Sequence, residues 1–389
     1  MPLTVACVVS LSGVALGQDA GQMPGDRPAV LTGEAKREFD ANAQLLSDFI
    51  HFTRINRPDV AAGVGTQLLG RNLRAVDFVD LVERSGEQQR FEETVARAMR
   101  SPQLEPTAAA LLRLYDQGKL QRVRDPKEIA RNIELLKGVQ RGRMLARERL
   151  AAAGEYAMPQ LLETLLKLDP ELRAEVTRLM IDMGQQSVTP LATALGQLDA
   201  ANQETVADIL GLIGYRTALP YLVDVMGTTA SPSVRAAADR AIRRIGLQGA
   251  ADAASLYAEL AEGYYQARSE LTSFPNDEFQ LLWSYNPASG LNMTAIRTPV
   301  YHEAMAMRLA ERSLELRPQG NDRALSLWLA ANFSREIDTP PNYENPAYAA
   351  TRRDAMYYAV AAGSGPSQQV LARALDRREA RLARRARSG

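Results

Sequence analysis

Four glycines, Gly154, Gly184, Gly214 and Gly246, recur 30, 30 and 32 residues apart, and they limit what this chain can become. The positions one, four and eight residues before each are apolar or small: Met183, Met180 and Val176; Ile213, Leu210 and Val206; Ile245, Ile242 and Ala238; Ala153, Leu150 and Ala146. That spacing lays three side chains along one stripe of an α-helix, and a glycine just past the end is free to take the left-handed C′ conformation. Five or six residues after three of the glycines stand Pro159, Pro190 and Pro220. A proline there suits the first turn of a following helix, where no backbone donor is lost. A fixed period of two helices, neither able to bury its face alone, predicts a solenoid. The expected fold class is all-α: an α-solenoid of helix pairs over 125–250, with flanking helical regions and one short β-hairpin.

Within the period, Asp169-Pro170-Glu171-Leu172-Arg173 runs to Gly184, and Ser231-Pro232-Ser233-Val234-Arg235 runs to Gly246. Each opens on a capping residue, places Pro at the first helical position and sets Arg eleven residues before its glycine. The middle repeat has Asn202-Gln203 and neither that Pro nor that Arg. These residues resemble the short HEAT-like repeats of bacteria, of the kind first associated with bilin lyases. The resemblance covers about a quarter of the chain. It implies stacked helix pairs and, as one alternative for function, an enzyme accessory or a lyase-like protein.

Composition narrows the remaining classes. Forty-six basic residues balance 46 acidic ones, so no bulk field draws the chain to nucleic acid or an anionic membrane. A basic face on the helix after Asp125-Pro126 carries no aromatic platform, and it reads as solvated rather than as a nucleic-acid site. The one cysteine, Cys7, allows no internal disulfide and no thiolate cage, and the two histidines, His51 and His302, stand far apart. No cofactor or metal is expected; His51 has no nearby Ser, Asp or Glu constellation at a recognisable spacing, and His302 lies beside Glu303 in a first turn. His302 reads as a surface or cap residue.

The apolar run 3–17 ends in Ala15-Leu16-Gly17, which resembles a secretory segment with its processing site, although no Lys or Arg precedes it. Export to a secreted or periplasmic location is the expectation, and a buried N-terminal strand is the other reading. Residues 18–33 then read as a flexible tether, and 34–124 as a helical region without the thirty-residue repeat. Across 251–345, a helical region, the stretch 278–298 stands apart: Glu278 to Tyr285 and Leu291 to Thr298 bracket Asn286-Pro287-Ala288-Ser289-Gly290, a β-hairpin with a loop of about five residues. The helices after Thr298-Pro299 and Pro318 are similar to a tetratricopeptide unit in their small-residue packing, without its Trp-x-x-Leu-Gly opening. A last helix pair, 346–389, places Ala355, Ala359 and Ala362 before Gly363 in the repeat pattern and ends in an Arg-rich tail.

Function is less legible than fold. The expected role is a non-catalytic scaffold that binds a protein partner through the concave face of the array, lined by the second helix of each pair. On those helices the stripe facing away from the core carries Arg173, Arg235, Asp239 and Arg243. An acidic partner and a simple intrahelical charge ladder are both open readings of that stripe. Trp283 and Tyr285 share one face of the hairpin at period two, so they either stack on a ligand, as in an envelope- or carbohydrate-binding module, or clamp the hairpin to helices.

Overall fold

The computed structural model describes residues 32–376 apart from Leu168, Ala250 and Ala251. The expected export segment, all but the end of the tether, and the Arg-rich tail from Arg377 lie outside the described residues. Two compact units divide the chain, one through Lys119 and one from Leu120.

In the first unit, α1 (Gly33–Arg54), α2 (Pro58–Leu69), α3 (Ala75–Arg84), α4 (Gln88–Ala98) and α5 (Glu105–Val123, whose last turn belongs to the second unit) surround an aromatic core. Phe78, Phe91 and Tyr115 meet edge to face there with ring centroids 5.2–6.5 Å apart. That arrangement places the positive ring edge against the negative ring face.

The second unit opens with four helix pairs: α6 (Pro126–Leu135) with α7 (Gln140–Ala153), α8 (Met158–Leu166) with α9 (Pro170–Met183), α10 (Gln185–Leu195) with α11 (Ala200–Ile213), and α12 (Leu219–Thr228) with α13 (Pro232–Ile245). Each organising glycine closes the second helix of a pair, and the stripe before it is buried: Ala146, Leu150, Val176, Met180, Val206 and Leu210 are all at 0% exposure. The first, weakest copy of the pattern is thus a full pair. All four glycines have positive φ, but only Gly214 and Gly246 are left-handed helical; Gly154 and Gly184 sit near φ 60° with ψ −137° and −125°. The cause is connector length. After Gly184 the next helix starts at once, so the chain must reverse within a single residue, a conformation that belongs to glycine. The same shortness corrects the reading of Pro190. Pro159 and Pro220 lie in first turns as expected, whereas α10 begins early enough to place Pro190 inside the helix.

Caps set the other ends. The side chains of Asp169, Asp199 and Ser231 accept from the backbone N–H of Leu172, Asn202 and Val234 at 3.2, 3.1 and 3.4 Å. The middle repeat therefore does have its N-cap, Asp199, one residue before the helix. Backbone donation from Leu172 and Asn202 holds the Asp169 and Asp199 carboxyls below their usual range, so both caps serve above that range and are lost in acid.

Beyond the array, α14 (Ala253–Tyr265), α15 (Thr298–Leu316) and α16 (Asp322–Asp338) form a second core, joined by α17 (Ala355–Ala362) and α18 (Ser364–Asp376). Between α14 and α15 runs the hairpin, β1 (Phe279–Asn286) and β2 (Gly290–Arg297), antiparallel with Trp283 opposite Met293 and Tyr285 opposite Leu291. Its loop is three residues rather than five, because Asn286 still pairs with Gly290, and Gly290 takes φ 74° to close it.

α11 and α13 approach closely at Gly211, where an added Cβ would lie 2.6 Å from the Cα of Ala241. Gly211→Ala is expected to force α11 and α13 apart and to cost about 1–3 kcal/mol in a thermal or urea melt. Gly227→Ala, which meets open space at the end of α12, should be neutral or stabilising by up to about 1 kcal/mol.

Candidate functional site

The array has two faces, and the chain treats them differently. The first-helix side is covered. Strand β1 packs on α10 and β2 on α8, while α15 packs on the hairpin from behind. Alternation along the strands splits the hairpin between two cores. Leu281, Trp283 and Leu291 belong to the core of the array, and Leu282 and Ile296 to the core of α14–α16.

Three polar ties fasten this cover. Glu155, directly after Gly154 and only 5% exposed, accepts from Trp283 Nε1 at 3.0 Å and from the Ser273 hydroxyl. Burial pushes its carboxyl up to about 7, against the pull of those two bonds. Arg124 pairs with Asp277 at 3.1 Å, with its guanidinium 4.3 Å from the centre of the Tyr156 ring and 4.7 Å from that of Phe274. Farther along, Arg312 of α15 forks onto buried Asp224 of α12 at 2.9 and 3.1 Å, and Tyr257 of α14 donates to the same carboxylate at 3.2 Å. The Asp224 bond holds the Arg312 guanidinium firmly protonated, and burial raises the Tyr257 phenol. His302 is partly buried: its Nε2 lies 3.0 Å from the Thr272 hydroxyl, and its ring sits beside those of Tyr264 and Tyr301.

Trp283 is therefore corrected as a ligand platform. At 1% exposure it has no face left to offer a sugar ring, and the partly buried Tyr285 packs against the array beside it. The amphipathic pairing that suggested a stacking site in the strand is what a hairpin buried between two cores also requires.

The second-helix side is open. Arg173 of α9 donates to Thr205 at 2.8 Å and Asn202 at 3.4 Å on α11, so it spans two repeats. Arg235 occupies the same repeat position on α13 but folds back to the Thr229 carbonyl at 2.8 Å. Arg243 and Asp239 pair along α13 at 2.6 Å, and this exposed i,i+4 contact is worth a few tenths of a kcal/mol. Sequence spacing did not reveal the stitching between repeats. Arg147 of α7 reaches Glu175 and Asp182 of α9, and Arg240 and Arg244 of α13 both reach Asp208 of α11. Along α9 itself, Pro170, Ala174, Thr177 and Ile181 floor a shallow trough of about 510 Å³, with Arg173 on one flank and Arg178 on the other.

Residues 158–243 match the HEAT repeats family. The array is built of HEAT-like repeats. The match begins at the first residue of α8 and ends two residues short of the end of α13, so it spans three of the four pairs. Comparison with curated proteins returned no match. Among the described residues, no cluster of three or more His, Cys, Asp or Glu gathers at a distance suited to a metal ion, and no helix is long and apolar enough to cross a membrane.

The two faces differ in what substitution should cost. Trp283→Ala leaves a cavity between the cores and should lower stability by about 3–5 kcal/mol in urea denaturation. Asp208→Asn, on the solvated face, should cost no more than about 1 kcal/mol, and high salt should erase the difference from wild type.

Proposed function

We propose that this protein is a HEAT-like interaction scaffold that binds a protein partner on the open, second-helix face of its array. HEAT repeats commonly mediate protein–protein interaction, and the observation that supports this use here is the asymmetry of the two faces. One face is filled by the chain's own hairpin, while the second helices carry the open α9 trough and leave Met144 of α7 65% and Leu212 of α11 54% exposed.

The trough suits a partner helix or loop that brings small apolar side chains to Ala174, Thr177 and Ile181 and a carboxylate to its Arg flanks. Arg178 is 60% exposed and only loosely held by Glu175 at 3.3 Å, so it is the readier of the two arginines. Arg173 is engaged with α11, and a carboxylate would have to compete with Thr205 for it. Charged hydrogen bonds of this kind add about 1.5–3 kcal/mol each where they are desolvated.

Partner capture with wild type and with Ala174→Arg/Thr177→Arg tests the reading. Both positions point outward, so the variant should melt with wild type and lose captured partner by more than tenfold. Undiminished capture by the folded variant would remove this face as the binding site. The same proposal places the protein outside the cytoplasm, supported by the apolar run 3–17 and Ala15-Leu16-Gly17. The intact mass of natively produced protein should then correspond to a chain that begins near Gln18 and lacks Cys7, and an uncleaved chain would reject export by this route.

A further inference from the structure

The contact that fastens the hairpin to the array has an unusual chemistry. Glu155 is the only acid in it, it is almost fully buried, and both of its hydrogen-bond donors are neutral: an indole N–H and a serine hydroxyl. Both donors lie on the covering segment and not on the array. A carboxylic acid fits this setting well, since it accepts from Trp283 on one oxygen and exchanges a proton-bearing bond with Ser273 on the other. A carboxylate in the same place is a buried charge without a counter-charge, which folded proteins avoid.

Among the described residues, no cation pairs with it. Arg124 is committed to Asp277 and to the rings of Tyr156 and Phe274. Arg308 of α15 donates to the Trp283 carbonyl, not to the acid. Tyr156 beside Glu155, Tyr221 of α12, Tyr264 of α14 and Tyr301 of α15 complete the wall; burial raises all four phenols, so they stay neutral through the physiological range. His302 of α15 is bonded to Thr272, next to Ser273.

We propose that Glu155 is a protonation-dependent latch: the neutral acid holds the hairpin segment 272–297 closed over α8 and α10, and loss of its proton loosens that cover and uncovers the first-helix face of the array. This inference does not depend on the partner proposed for the opposite face. The direction follows from linkage. The folded carboxyl titrates near 7 and the released one near 4.5, so between those values the closed form holds the extra proton and its advantage shrinks as pH rises. With these two values, the opening constant grows about tenfold from pH 6 to pH 8.5.

Hydrogen exchange of residues 279–297 in the full-length protein, corrected for the pH dependence of intrinsic exchange, reads that constant. Protection should fall about tenfold between pH 6 and pH 8.5 in wild type. It should become independent of pH in Glu155→Gln, which keeps an acceptor and a donor at the same place, and should still fall in His302→Asn. Unchanged protection in wild type, a fall that persists in Glu155→Gln, or one abolished by His302→Asn would each overturn the latch. Because Glu155→Gln must itself fold, wild type supplies an independent reading: the carboxylic-acid C=O stretch in isotope-edited infrared spectra. One buried acid should keep that band up to pH 7, and its disappearance by pH 5.5 would overturn the proposal equally.

Discussion

Every helix of the array buries one stripe against its own pair and leaves the next stripe for a neighbour, so no pair is stable by itself. The polar contacts follow the same logic. Arg147 reaches from α7 to α9, Arg173 from α9 to α11, and Arg240 and Arg244 from α13 back to α11. Between α11 and α13 the glycine at 211 lets two backbones come close enough for Ala241 to fill the space a side chain would have taken. Nearest-neighbour dependence of this kind is what makes a solenoid cooperative over short distances and extendable over long ones.

The hairpin is where this chain departs from a plain stack. A two-stranded ribbon is marginal alone, and this one persists because both of its faces are buried. Leu281 and Trp283 fill one core while Leu282 and Ile296 fill the other, so the ribbon joins the array to the helices that follow it. Its polar ties differ in kind. The Asp224–Arg312 fork and the Arg124–Asp277 pair neutralise their own charges, whereas the Glu155 contact is closed by neutral donors.

The array is occupied by the hairpin on one side and open on the other. On α9, small residues flanked by Arg173 and Arg178 remain open; Arg173 is tied to the next repeat and Arg178 to Glu175 on its own helix. The partner proposed for this face would have to exchange those contacts, which favours fit to the surface over bulk attraction, in a chain of balanced charge.

The periodic glycines, the stripes before them and the Asp-Pro and Ser-Pro starts were enough to read the array, because helix periodicity and capping are local chemistry. The hairpin was legible for the same reason: short strand runs around Asn, Pro and Gly declare a turn without help from the rest of the fold. What periodicity could not decide was which surface of an element would be covered. Trp283 and Tyr285 share a face in any strand, but only the packing of α8 and α10 on one side and α15 on the other makes Trp283 a core residue. Arg173 and Arg235 occupy one repeat position, yet Arg173 has Thr205 and Asn202 within reach on the next helix and Arg235 turns back to its own cap. Glu155 had no signal at all as an acid following a glycine. Its raised pKa arises from burial by a segment more than a hundred residues away, and solvent exclusion over that separation is a property of the tertiary structure alone.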